Sequence, residues 1–200
     1  MSAVMPFTQR REPQYLGLRM SADAYFALEQ DGFDYELVNG VMVQSLGRTP
    51  RHQHVAFEIA WQLRNYIQQN PVGLVLMETD VHLGQTPTGD DLVYRPDVVF
   101  LCSERAGDIK DRIIGAPDLV VEVVSGSSRR FDSETKREDY ERYGVGEFWL
   151  IDPDQGRMTF FRLKEGRFVE VPTTGDSFAS EAVPGFKLDL ACVRKAFTLM

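Results

Sequence analysis

Apolar residues change period several times along the chain, and each change predicts an element. In Ser21–Gln30 (SADAYFALEQ), Tyr25 and Leu28 anchor a short amphipathic helix that Ser21 is placed to cap. Tyr35–Ser45 alternates on both sides of Asn39-Gly40. That dipeptide predicts a tight hairpin, because both central residues of the favoured turn need positive φ. Thr49-Pro50 offers a cap followed by a first-turn proline. Behind it, Val55, Ile59, Leu63, Tyr66 and Ile67 keep helical spacing up to Asn70-Pro71.

Three strand-like runs follow: GLVLMETDVHL, YRPDVVFL and PDLVVEVVS. The last is apolar at consecutive positions, as in a strand covered on both faces. FDSETKREDYERYGV predicts a second helix, capped by Asp132 or Ser133 and ended at Gly144, and EFWLIDP a further buried strand. RMTFFRL and RFVEV flank Lys164-Glu165-Gly166 as a C-terminal hairpin. With no repeat or linker, this order predicts a loose arm over residues 1–20 and one α/β domain over residues 21–200. Its expected core is a mixed β-sheet flanked by helices, with added N- and C-terminal hairpins.

Composition narrows the class. A chain of 200 residues with 43% hydrophobic content can fill one substantial core. No apolar run reaches the roughly 20 residues a membrane helix needs. The start, MSAVMPFTQRREPQYLGLR, lacks the apolar stretch of a secretory signal. Cys102 and Cys192 have no spacing that suggests zinc, so a cytoplasmic protein with reduced thiols is expected. A net charge of −8 argues against coating nucleic acid through bulk positive charge. It leaves room for an acidic metal site beside a local basic strip that meets phosphates.

Candidate chemistry lies where polar groups interrupt apolar runs. Glu122 sits within Leu119–Val124, and Asp97 between Arg95-Pro96 and Val98–Leu101, where Pro96 suggests a strand start or irregularity. A buried carboxylate costs several kcal/mol unless paired or bound to metal. One such acid is most simply paired with an arginine such as Arg95 or Arg112. Two in consecutive core strands point instead to a shared hard cation such as Mg²⁺. Lys136 shares a helix stripe with Tyr140 and Tyr143, while Arg137, Glu138, Glu141 and Arg142 lie toward the other side. Alone it would be read as a lysine reaching for solvent. Beside two buried acids it is a cation set near a metal-bound water or a phosphate.

The segment APDLVVEVVSGSSRRFDSETKREDYERYGVGEFWLIDP, with RPDVVFL and YELVNGVMVQS upstream, resembles the Uma-type family of the PD-(D/E)xK nuclease superfamily. The likeness runs from about Ser21 to the end. It implies a restriction-endonuclease-like fold and Mg²⁺-dependent hydrolysis of DNA, with Mn²⁺ able to substitute, and it admits a homodimer. Pro96-Asp97 matches the superfamily's PD and Glu122 its second acid. The lysine expected two places later is Val124 here, and Lys136 on the next helix takes that role in the Uma-type pattern. The implied catalytic set is Asp97, Glu122, Lys136 and Glu36, with Asp97, Glu122 and the Val123 carbonyl as metal ligands. His54 matches the family's histidine near the start of the first long helix. Arg51, Arg129 and Arg130 are read as loop arginines outside the catalytic set. Two rivals remain: a non-cleaving nucleic-acid-binding or assembly module that retains the nuclease fold, and a hydrolase of smaller phosphate esters.

Overall fold

Two β-sheets share one apolar layer, and the chain steps between them at Arg95–Asp97. The computed structural model describes residues 12–45, 48–107, 109, 111–124 and 131–199, without the side chains of 131–133. In chain order come α1 (Ala22–Phe26), β1 (Tyr35–Val38), β2 (Val41–Gln44), α2 (Pro50–Gln69), β3 (Gly73–Met77), β4 (Val81–Gln85), β5 (Asp91–Tyr94), β6 (Val98–Cys102), α3 (Ser103–Ala106), β7 (Ile113–Ile114) and β8 (Leu119–Val123). A π-helical segment (Phe131–Lys136) then runs into α4 (Arg137–Tyr143). Strands β9 (Glu147–Asp152), β10 (Arg157–Lys164), β11 (Arg167–Glu170), β12 (Ser177–Ala179) and β13 (Lys187–Asp189) lead to α5 (Leu190–Lys195).

The central sheet has the order β11-β10-β9-β8-β6-β3. Its parallel pair, β8 and β9, is joined through α4, because parallel neighbours need a crossover. On one face, Val98, Phe100, Val121 and Trp149 pack against Val55, Ile59 and Leu63 of α2 and against the C-terminal β12, β13 and α5. On the other, Val99, Val120 and Phe148 meet Tyr140 of α4 and Val81, Leu92 and Tyr94 of the second sheet. That sheet has the order β2-β1-β5-β4-β7. Its outer side is closed by Ala22 and Tyr25 of α1.

The expected mixed architecture is present, with local corrections. Asn39 and Gly40 have φ of 51° and 72°, as the hairpin requires, yet the hairpin is no appendage, since β1 pairs with β5 and joins the second sheet. The run Gly73–Leu83 is two strands in different sheets, divided where Glu78 turns the chain with φ of 49°. The predicted first helix is shorter, ending at Phe26, although Ser21 does cap it by accepting from the Ala24 N–H. Residues 12–20 are not all loose arm: Gly17 N–H donates to the Met42 carbonyl, and Met42 N–H to that of Leu18. Residues 1–11 lie outside the described residues, as does the expected side-chain cap at Asp132 or Ser133. Among the described residues no helix is long and apolar enough to cross a membrane. Both cysteines are free and half-buried.

A buried carboxylate–lysine cluster where the two sheets meet

The link Arg95–Asp97 ties the sheets together through two carboxylates. The backbone N–H of Arg95 donates to Glu36 Oε1 of β1 at 2.9 Å. Two residues on, Asp97 Oδ2 accepts the backbone N–H of Val123 at 2.7 Å. Strands β6 and β8 run antiparallel with Val98 opposite Val121, so Asp97, just before β6, and Glu122, near the end of β8, lie at the same end of this strand pair. Pro96 fits this place because it lies outside both strands, where no ladder donor is missed.

Lys136 enters from the end of the π-helical segment, a wide turn that often occurs at functional sites. It is 4% exposed. Its Nζ donates to Glu36 Oε1 at 2.9 Å and to Glu122 Oε1 at 3.1 Å, and stands 5.2 Å from the centre of the Tyr94 ring. Tyr140, one turn along, donates its hydroxyl to the same Glu122 oxygen at 2.6 Å. Burial, then the charges of Glu122 and Glu36, push the Tyr140 phenol well above its ordinary pKa, so it keeps its proton as a donor. Tyr94 is held protonated in the same way by burial and by Asp139, to which it donates at 2.6 Å.

Asp97 faces a different set of groups. His52 Nε2 lies 3.1 Å from Oδ2, and Arg48 Nε lies 3.1 Å from Oδ1. Burial alone would raise the Asp97 pKa. The His52 hydrogen bond and charge, the Val123 N–H and Arg48 outweigh it and hold the carboxyl below its usual range. His52 sits in the first turn of α2, where Thr49 accepts its backbone N–H. Donation to Asp97 requires the proton on Nε2, which leaves Nδ1 buried without a partner among the described residues.

The structure thus brings Glu36, Glu122 and Lys136 into direct contact and sets Asp97 against the backbone that follows Glu122. His54 is exposed, and the histidine at the site is His52. A signal for it exists: His52 is in helical register with Val55, Ile59 and Leu63, all buried, whereas His54 is not. Arg48 and Tyr140 were not anticipated as site residues. Neither Arg95 nor Arg112 pairs with Asp97 or Glu122 among the described residues. Arg95 binds Asp80 and Asp34, and the Arg112 guanidinium covers the Phe26 ring at 3.7 Å. Arg51 lies on α2 rather than in a loop and pairs with Asp154. Arg129 and Arg130 lie outside the described residues. Val124, where the superfamily pattern puts lysine, is buried in the core.

Among the described residues, no three His, Cys, Asp or Glu side chains converge into a ready-made cation cage. Asp97 and Glu122 nevertheless fit Mg²⁺ in chemistry: both are oxygen donors, and this ion takes one or two carboxylates and keeps several waters or phosphate oxygens.

Comparison with known proteins agrees with this architecture. The sequence model of the Uma2 family, described as "Putative restriction endonuclease", matches residues 22–191. A crystal structure described as a "putative nuclease belonging to DUF820", from Anabaena variabilis, superposes with a TM-score of 0.72 at 15% identity, covering 90% of this chain and 99% of that one. No curated protein matches the sequence.

Proposed function

Because this chain belongs to the Uma2 family of restriction-endonuclease relatives, we propose that its buried cluster is the centre of a Mg²⁺-dependent endonuclease that hydrolyses DNA phosphodiester bonds. The observation that carries this reading is the burial of Lys136 between Glu36 and Glu122. Desolvating a lysine and two carboxylates costs more than apolar packing would, so such a group is weak as a stabilising device and is better explained by chemistry.

Bound at Asp97, Glu122 and the Val123 carbonyl, Mg²⁺ would acidify a water and neutralise phosphate charge, and Mn²⁺ would serve similarly. The protein's own groups do the rest. Lys136 presents its ammonium toward an attacking water or a phosphate oxygen as charge builds in the transition state. Glu36, fixed by the Arg95 N–H, holds that ammonium in place. Tyr140 orients Glu122, and His52 with the Val123 N–H orients Asp97.

The test is incubation of pure protein with supercoiled plasmid in Mg²⁺ or Mn²⁺ against chelator. Metal-dependent nicking that is absent from Lys136→Met meets the expectation. Protein that binds metal and DNA yet never nicks under these conditions belongs to the non-cleaving alternative.

A further inference from the structure

Asp97 divides its partners unevenly. Oδ2 takes two donors that belong to rigid elements, the Val123 N–H of β8 and His52 of α2. Oδ1 is met, among the described residues, by Arg48 Nε. Arg48 precedes the α2 cap and belongs to no helix or strand, so its backbone is not held by a ladder. It also contacts Asp97 in the weaker of arginine's two modes. Only Nε is engaged, at 3.1 Å to Asp97 and 3.5 Å to Glu78, whereas Arg95 spends Nε, Nη1 and Nη2 on Asp80 and Asp34. A guanidinium binds most strongly as a fork, through two parallel N–H groups on one carboxylate or phosphate. The Arg48 side chain is 12% exposed, and its Nη groups make no hydrogen bond to a described residue, so that fork remains for another oxyanion.

We infer that Arg48 and a divalent cation compete for Asp97 Oδ1, and that the displaced guanidinium engages a phosphate of the bound nucleic-acid strand. The inference rests on the reading of Asp97 as a metal ligand. Two cations cannot share one carboxylate oxygen without strong repulsion, so metal entry favours Arg48 leaving. A strand arriving with the metal brings the phosphates that receive it. Metal and strand then bind cooperatively, because each removes a cost the other would meet. Glu78, already near Nε, gives the guanidinium a second carboxylate to pivot on.

The experiment uses the full chain, with Mn²⁺ titrated calorimetrically in the absence of nucleic acid. Arg48→Gln is expected to bind Mn²⁺ at least about tenfold more tightly than wild type, the floor that one charge–charge contact leaves even when screened as in water. Arg48→Lys keeps a cation beside Oδ1 and is expected to stay near wild type. A second arm measures a short DNA duplex by anisotropy in Ca²⁺, whose bound water is less acidic, over a range of salt. There Arg48→Gln should lower the slope of log K against log salt by about 0.9, one phosphate contact. Arg48→Gln that binds Mn²⁺ no tighter, Arg48→Lys that binds as tightly as Arg48→Gln, or an unchanged salt slope each overturns the exchange. Circular dichroism confirms that each variant is folded. Wild-type protein that binds no Mn²⁺ at all overturns instead the metal reading of the site.

Discussion

The side-chain carboxylate of Asp97 accepts the backbone N–H of Val123 at 2.7 Å, and Val123 directly follows Glu122. The Asp97 carboxylate is therefore placed by the backbone of β8, the strand that carries Glu122, which the β6–β8 ladder holds in turn. Substitutions in the surrounding apolar layer should leave that placement intact so long as the ladder forms, whereas removing either carboxylate acts on the site itself.

The first prediction concerns metal-linked stability. A cation held by Asp97 and Glu122 in the folded state alone raises the melting temperature as its concentration exceeds the dissociation constant. Mg²⁺ or Mn²⁺ should raise Tm in wild type, and the shift should vanish in Asp97→Ala/Glu122→Ala. Differential scanning fluorimetry measures this directly, and a full shift in the double variant would move the ligands elsewhere.

Lys136→Met should abolish nicking and destabilise the protein at neutral pH. It leaves Glu36 and Glu122 buried and facing each other without their cation, and breaking such a buried cluster costs about 3–5 kcal/mol. Denaturant unfolding measures the loss, and added Mg²⁺ should restore part of it. Lys136→Arg should rescue poorly, because a planar guanidinium is larger than an ammonium and the Tyr94 ring closes the space beside Nζ. Wild-type nicking by Lys136→Met, in protein free of host nucleases, would retire the lysine's proposed role.

Asp91 yields a pH prediction away from the site. It accepts the Ala22 N–H at 2.7 Å and meets His82 Nε2 at 3.1 Å, tying α1 to β5. Burial works to raise its pKa, but the Ala22 N–H and His82 hold it below the usual carboxylate range. A depressed carboxyl contributes stability that is present above its unfolded pKa and is lost as pH falls through the folded value. Asp91→Asn should therefore cost about 1–3 kcal/mol at neutral pH. The gap from wild type should close in acid below the ordinary aspartate range. A gap constant from pH 7 to pH 2 would show that charge has no part in the contact.

Gly73→Ala should be among the most damaging single-methyl changes. A Cβ there would press on the Leu101 carbonyl oxygen and lie 2.6 Å from the Phe100 ring, so β3 could not approach β6 in its present register. Overpacking of this kind costs about 1–3 kcal/mol, and more when backbone must shift. Thermal unfolding and soluble yield test it; a melting temperature within a degree of wild type would contradict the close approach.

Much of the fold was legible because its signals are local. Asn39-Gly40 required its turn, Thr49-Pro50 its helix start, and the unbroken apolar run before and after Glu122 its central strand. What was not legible depended on long-range choices. Nothing around Glu78 announces that β3 and β4 go to different sheets, since positive φ at a glutamate has no composition signal. Asp97, Glu122 and Lys136 stood out as polar residues in apolar settings, and all three are buried. Their partners did not stand out. His54 matches the family's histidine, yet His52 is the one in register with the buried stripe. Arg48 lies in a connecting segment, where periodicity is silent.

The bond between Glu36 and Lys136 closes a loop of 100 residues, with Asp97 and Glu122 both inside it. On the ribosome, at about 5–20 residues per second, Glu36 and Asp97 emerge well before the lysine and Glu122 shortly before it. Strand β9, which pairs with β8 along the length that bears Glu122, comes later still. A nascent or truncated chain therefore holds carboxylates without the cation and without the neighbouring strand. A chain that ends before β9 lacks the strand that holds Glu122 in register, so the cluster belongs to the whole domain and to no fragment of it.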